Sequence, residues 1–369
     1  MTPCCKINSD FSNQNINTLE NFDDWWNNDR MRDLRKDLGS GIKNQNCAVC
    51  WADEAAGKSS LRQEYNKRLG KHTNLKKITK STTYINEQSP IALELDMGNI
   101  CNFKCMMCDS KLSSKIRSER IQHHSKFSNL KFLPPVAKYD FDWPNQDIFQ
   151  TWFKKVMPGI KILQLKGGEP LLIDNALTTI KSIKEKKNTL LYITTNGSVE
   201  LDDEFVDSLK EFQSCAVHVS VDGIEQHGEY VRYGSHWPTT HQTITKLSKL
   251  SNCTFRINTV FQFYSALTFA PIVEYALKNN LDVELLLCHF PKFLSINSML
   301  PRHHAELTQF VDNKVQLHPH VTWLREAEGF LKTYKFDSIL HQQCFEYTQT
   351  LNSIRHNKLD AVQELFHNV

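Results

Sequence analysis

Cys101, Cys105 and Cys108 stand at spacings of four and three on one short polar loop, Asn99-Ile-Cys-Asn-Phe-Lys-Cys-Met-Met-Cys-Asp109. Thiolates crowded this closely repel one another unless a cation or cluster binds them. Three soft sulfur ligands suit an iron–sulfur cluster or a soft metal ion. Three unconnected core cysteines are the poorer account, because free cysteines seldom gather on an Asn/Lys/Asp loop. The loop supplies no fourth thiolate. A cubane cluster held by three cysteines leaves one iron open to a small molecule, so the gap is itself informative.

Further along lie short polar segments that could serve one shared ligand. Lys166-Gly-Gly-Glu-Pro170 has two consecutive glycines, Gly167 and Gly168, that let a backbone approach a ligand closely, and Glu169 adds a carboxylate. Thr194-Thr-Asn-Gly197 and Ser220-Val-Asp-Gly223 are small, polar and glycine-terminated, and Arg232 follows in Tyr230-Val-Arg-Tyr-Gly234. Taken singly, each has a plainer reading: tight turns for the glycine segments, a solvated charge for Arg232, a satisfied strand asparagine for Asn258. A second cysteine set lies upstream, Cys47-Ala-Val-Cys50 with the adjacent pair Cys4-Cys5, and is compatible with zinc, a redox pair or a cluster. Cys215, Cys253, Cys288 and Cys344 read as buried thiols. Cys288 beside His289 has a second reading, as a hydrogen-atom donor or spare ligand on the catalytic face. None of the 15 histidines is assigned a catalytic role.

These groups need elements to position them. Strand candidates are Ile91–Met97, Ile162–Lys166, Leu191–Thr195, Val217–Val221, Phe255–Phe261 and Val283–Leu287. Helix-length segments Asp174–Lys186, Asp203–Phe212, Thr239–Leu250 and Leu267–Lys278 alternate with them. The alternation predicts an α/β fold, a partial (β/α)6 TIM-like barrel whose functional groups lie at the C-terminal ends of the strands. Residues 1–88 are asparagine-rich and helical in pattern, with one amphipathic helix expected from Phe22 to Leu38, stopped by Gly39 and Gly41. Residues 89–295 form the barrel, and 296–369 read as C-terminal helices.

Composition bounds the setting. The chain has 369 residues, of which 40% are hydrophobic and 23% charged, as in an ordinary soluble globular protein. A net charge of +3 argues against nucleic acid or a membrane surface as partner. No apolar signal region or spanning stretch is present, and the eleven cysteines are expected as ligands or reduced thiols in the cytoplasm.

The CxxxCxxC spacing, with Met107 before the last cysteine, resembles the signature of the radical S-adenosylmethionine (SAM) enzymes. The order of the later segments resembles that family too. The resemblance implies that Cys101, Cys105 and Cys108 hold a 4Fe-4S cluster whose open iron is chelated by the amino and carboxylate groups of SAM. It further implies that Gly167, Gly168, Glu169 and Pro170 form the motif that holds the methionine ammonium. Thr195, Asn196, Ser220 and Asp222 would line the SAM pocket, with Ser220 and Asp222 serving the ribose or the methionine carboxylate. Arg232 would pair with that carboxylate, and Asn258 is a candidate for adenine or ribose contact. One electron passed to SAM then gives methionine and a 5′-deoxyadenosyl radical that abstracts a substrate hydrogen. An electron donor such as flavodoxin or ferredoxin is implied as a partner.

The order Trp26, Arg30-Met-Arg-Asp-Leu-Arg35, Gly41, Cys47-x-x-Cys50, Glu54, Gly57, Ser59, Arg62 resembles the N-terminal twitch, or half-SPASM, domain of some radical SAM proteins. It implies a second 4Fe-4S cluster, with Cys4, Cys5, Cys47 and Cys50 as its candidate ligands; a zinc ion at those four is the structural alternative. Thr2-Pro-Cys-Cys5 matches only the end of the family's first segment. That leaves three readings: a true start upstream of Met1, ligation by both Cys4 and Cys5, or a three-ligand cluster with an open iron. The family implies a ribosomally made peptide as substrate, with a small molecule or sugar/cyclitol as the alternative. A non-catalytic iron–sulfur or zinc protein binding nucleic acid is the competing class.

Overall fold

The computed structural model describes residues 3, 4, 7, 11, 21–55, 59–72, 83–136 and 141–367. The strands are β1 Ala92–Asp96, β2 Lys104–Cys105, β3 Ile162–Lys166, β4 Leu190–Thr195, β5 Ser214–Ser220, β6 Arg232–Tyr233, β7 Cys253–Phe261 and β8 Asp282–Leu287. Six of them form one open sheet in the order β1-β3-β4-β5-β7-β8, and β2 pairs with β6 as a separate ribbon. Pairing from β4 through β8 is parallel. The sheet is therefore the expected partial barrel, each main strand lying within three residues of its expected span.

Period-two alternation decides the sheet's two faces. Leu191, Ile193, Val217, Val219, Ile257 and Phe261 are buried on one face, where the Phe261 ring meets Phe269 of helix Ser265–Lys278 edge-on at 4.9 Å. Register puts polar residues in rows on the other: Thr194, His218, Arg256 and Asp282, then Ser220, Asn258 and Glu284. There the His218 imidazole lies 3.1 Å from Glu284, and Arg256 lies 2.9 Å from Asp282.

By packing, the chain forms two units. One comprises Met1–Glu94, Asp142–Leu163 and Ile183–Glu185; the other comprises Leu95–Phe141, Gln164–Ser182 and Lys186–Val369. In the first, the expected single helix over Phe22–Leu38 is instead two, Phe22–Trp26 and Asp29–Gly39. The break has a local cause. Asn28 takes extended backbone and its side chain accepts the Met31 N–H, so it caps a new helix rather than continuing the old one. Helix Asp147–Val156 was not among the expected elements, although Phe149, Trp152, Phe153 and Val156 recur at helical spacing. Its Trp152 ring stacks on Phe22 at 4.0 Å.

In the second unit, helices Pro301–Leu317, Thr322–Leu331, Ser338–Arg355 and Asp360–Glu364 follow the sheet, as expected for the C-terminal segment. No described helix is long and apolar enough to cross a membrane.

Candidate functional site

The three-cysteine loop follows β1 and is fastened at both ends. Ser113 caps helix Ser114–Gln122 through the Ile116 N–H and donates its hydroxyl to the Phe103 carbonyl at 2.8 Å. The Ser114 N–H donates to the Asn99 carbonyl at 2.7 Å, and the Cys101 N–H reaches the Ser114 hydroxyl at 3.3 Å. On the far side the β2–β6 ribbon sets Cys105 opposite Arg232, and the Met106 N–H bonds the Val231 carbonyl. Cys105 is buried; Cys101, Met107 and Cys108 are half-buried. Burial pushes the Cys105 thiol up to about 11. Burial first, then the neighbouring Cys105 and Cys101, raise Cys108 well above the ordinary thiol value. Cys101 is raised by burial as well. Three thiols held this way keep their protons at neutral pH unless a cation replaces them.

The glycines after β3 take backbone that other residues avoid. Gly167 and Gly168 both have positive φ, +91° and +48°. A Cβ on Gly168 would come within 2.2 Å of the Ile100 carbonyl oxygen, and one on Gly167 within 2.6 Å of that of Gly98. The close approach they permit is to the cysteine loop itself, which the Glu169 N–H then bonds through the Ile100 carbonyl at 2.7 Å. Gly168→Ala is accordingly expected to destabilise the protein by at least roughly 1–2 kcal/mol, the cost of left-handed backbone alone. Chemical denaturation of the metal-free protein checks this; a loss under about 0.5 kcal/mol, ordinary for a surface change, would contradict it.

Glu169 has no solvent-exposed surface. Its carboxylate accepts the Thr195 hydroxyl at 2.7 Å, the Asn196 N–H at 2.5 Å and the Leu171 N–H at 3.1 Å. Burial nevertheless raises its pKa, against the pull of those donors. The side chain thus braces the ends of β3 and β4, with Pro170 opening the short 3-10 turn that follows. Thr195 also accepts the Gly197 N–H. Asn196 donates to Asn102 Oδ1 at 3.0 Å and reaches Cys101 Sγ at 3.9 Å.

Ser220 ends β5, and Asp222 follows with 1% of its surface exposed. Asp222 Oδ1 accepts the Val260 N–H at 2.7 Å, and Oδ2 ion-pairs with Arg232 Nη2 at 2.6 Å. Arg232 Nη1 donates to Cys105 Sγ at 3.7 Å, while its buried Nε has no hydrogen-bond partner among the described residues. The buried Asn258 Oδ1 is likewise unpartnered. A small cleft, partly open to solvent, is lined by Phe103, Asn196, Ser220, Gly223, Arg232 and Trp237 among others. The structure therefore gathers the cysteine loop, Asn196, Ser220, Asp222 and Arg232 at one place. Glu169 and Thr195 stand behind them as supports.

Of the upstream set, Cys5 lies outside the described residues. Cys4 is exposed, Cys47 half-buried and Cys50 buried. Burial, then the charges of Cys50 and Cys4, raise the Cys47 thiol, so Cys47 stands within electrostatic reach of each of the other two. Gly57 also lies outside the described residues, but Glu54 joins Arg62 at 2.8 Å and Ser60 at 2.5 Å. Among the described residues no group of three or more His, Cys, Asp or Glu is arranged around a single metal ion. Cys215, Cys288 and Cys344 are buried thiols and Cys253 a half-buried one.

Sequence reasoning missed one arrangement beside the loop. Arg355, at the end of helix Ser338–Arg355, donates to both Glu119 oxygens at 3.2 and 2.9 Å and from Nη1 to Met106 Sδ at 3.5 Å. Lys104 reaches the same Glu119 at 2.7 Å. Nothing local marks Glu119: it reads as one charge on a polar helix, and its partner lies 236 residues away.

No protein-family model matches the chain. It is similar to a probable GTP 3',8-cyclase of Methanococcus maripaludis strain C5, at 21% identity over 241 residues, covering 65% of this chain and 70% of the cyclase. The same named protein of strain C7 is 20% identical over 208 residues, 56% of this chain and 60% of its own length. Among solved structures, Streptococcus suis SuiB bound to precursor peptide SuiA aligns with a TM-score of 0.40 and 14% identity, over 77% of this chain and 64% of SuiB. Native anSMEcpe with bound AdoMet aligns with a TM-score of 0.38 and 16% identity, over 60% of this chain and 58% of its own.

Proposed function

We propose that this chain is a radical SAM enzyme, with Cys101, Cys105 and Cys108 as ligands of a 4Fe-4S cluster and the adjoining cleft as the SAM site. One observation carries the reading: polar groups from two other strand ends, Asn196 and Arg232, reach Cys101 Sγ at 3.9 Å and Cys105 Sγ at 3.7 Å beside that cleft. The donor set fits the group. Three thiols crowded on one braced loop, whose thiolates would repel one another if left unbound, suit a cluster that spreads them over separate irons. Two buried polar atoms there, Arg232 Nε and Asn258 Oδ1, lack a protein partner, as expected beside a polar ligand. Similarity to curated cyclases supports an enzyme.

When bound, such a cluster supplies one electron that cleaves SAM to methionine and a 5′-deoxyadenosyl radical. This chain's own residues bind and orient. Ser220 and Asn196 offer hydrogen bonds at the cleft, with Asn258 paired beside Ser220 on the next strand, while Glu169, Thr195, Pro170 and the two glycines hold the loop and strand ends in place. Reduced flavodoxin or ferredoxin would serve as donor.

A small polar molecule is the better-supported substrate class. The curated relatives are named for GTP, and the sheet's second face carries the polar residues Thr194, His218, Arg256, Asn258 and Glu284. A ribosomally made peptide is the second candidate. The residues Cys4, Cys47 and Cys50, with Cys5, are proposed as ligands of a second 4Fe-4S cluster, on the nearness of Cys47 to both Cys4 and Cys50.

Anaerobic reconstitution tests the reading. The expected product is a brown protein holding about four irons with one cluster, or about eight with both, that releases 5′-deoxyadenosine from SAM with dithionite. Stoichiometric zinc with no deoxyadenosine would sink it.

A further inference from the structure

We propose that Arg232 acts on the cluster through Cys105, raising its reduction potential. The inference rests on the radical SAM reading and concerns a residue inside that site.

The Arg232 guanidinium is held on two sides. Nη2 is ion-paired with Asp222 Oδ2 at 2.6 Å, and Nη1 points at Cys105 Sγ at 3.7 Å. Asp222 is in turn fixed by the Val260 N–H at 2.7 Å and is 1% exposed. The ribbon pairing of Cys105 with Arg232 adds a backbone constraint to the side-chain contact.

The electrostatics follow. A cubane carrying two positive charges and three thiolates has a net charge of about −1, and one electron more makes it about −2. A buried guanidinium at one thiolate favours the more negative state, since low local dielectric leaves the charge poorly screened. Arg232 thus stabilises the reduced form, and Asp222, within electrostatic reach of Cys105, opposes it. Arg355 reaches Cys105 electrostatically as well, but its guanidinium is bound to Glu119 and Met106. That leaves Arg232 as the cation in direct contact with the thiol.

The opposite signs of the two charges supply the test. The reconstituted protein is titrated potentiometrically with dithionite in the absence of SAM, with the reduced cluster read by electron paramagnetic resonance. Each electron comes from dithionite and is taken up by the cluster. Arg232→Gln is expected to lower the equilibrium constant for reduction at least tenfold, about 59 mV for one electron. Arg232→Lys should recover most of that loss, and Asp222→Asn should shift the potential the other way.

The proposal is overturned if Arg232→Gln leaves the potential unchanged, or if Arg232→Lys shifts it as far as Arg232→Gln does. Shifts of the same sign in Arg232→Gln and Asp222→Asn overturn it too, because they would report general disruption. Should Arg232→Gln fail to hold a cluster, Arg232→Lys and Asp222→Asn still decide the sign. Failure of the wild-type protein to take up any cluster would instead remove the radical SAM reading itself.

Discussion

Cys105→Ala is expected to empty the loop site and reduce 5′-deoxyadenosine release to the background of a SAM solution with dithionite. Cys105 is the middle of the three proposed ligands and is buried, so no outside thiol can replace it. Its backbone is held by the β2–β6 ribbon whatever the side chain, so alanine removes the ligand without unfolding the loop. The two remaining thiols, both raised by burial, cannot gather a cubane alone. Iron counting and deoxyadenosine release under anaerobic conditions check the result. Cys50→Ala is the control: it should keep SAM cleavage while lowering the iron count by about four, the content of one cubane. Full cleavage by Cys105→Ala would place the reactive cluster elsewhere.

Glu119→Gln is expected to be the most destabilising single change near the site. Glu119 and Arg355 each expose 4% of their side chains and meet at 2.9 Å. Removing the carboxylate's charge leaves a guanidinium buried with no anion, which costs roughly 3–5 kcal/mol. The effect has a pH signature. Burial pushes the Glu119 carboxyl up, but the hydrogen bonds and charges of Arg355 and Lys104 outweigh it and hold it below the ordinary value of 4.5. A folded value below the unfolded one means that the stabilisation is fully present above about 4.5 and fades as pH falls through the lowered folded value. Urea denaturation of metal-free wild-type and Glu119→Gln proteins at pH 7 and at pH 4 should therefore show a gap that narrows on acidification. An equal gap at both would mean that shape rather than charge is lost. Because Arg355 also bonds Met106, a frayed C-terminal helix should reach the loop: the variant is expected to lose iron faster to a chelator.

The reach of local pattern can be judged from particular residues. Strand β3 was legible because Ile162, Leu163 and Leu165 bury while Lys166 meets the Gly-Gly turn, and β4 because Leu191, Ile193 and Thr195 alternate inward. The break at Asn28 was not, since an asparagine inside an amphipathic pattern caps or continues a helix by a margin of about 1 kcal/mol. Among site residues, Ser220 and Asn196 emerge at the cleft with polar groups able to meet a ligand. Glu169, Asp222 and Arg232 were marked as ligand-contacting groups, yet their charged groups are largely engaged by the protein.

By itself the sequence determined the residue types available for chemistry, the spacing of Cys101, Cys105 and Cys108, and the strand order. All of these are set within a few residues, where alternation and turn chemistry operate. Only the tertiary structure decided what each polar side chain faces. Cys105 and Arg232 are 127 residues apart, and Asn196 and Cys101 are 95 apart. A buried charge must find a partner, and at those separations the partner is chosen by packing rather than by spacing. The cysteine loop could be read as a binding site from its spacing alone. That its middle thiol meets an arginine already held by Asp222 needed the fold.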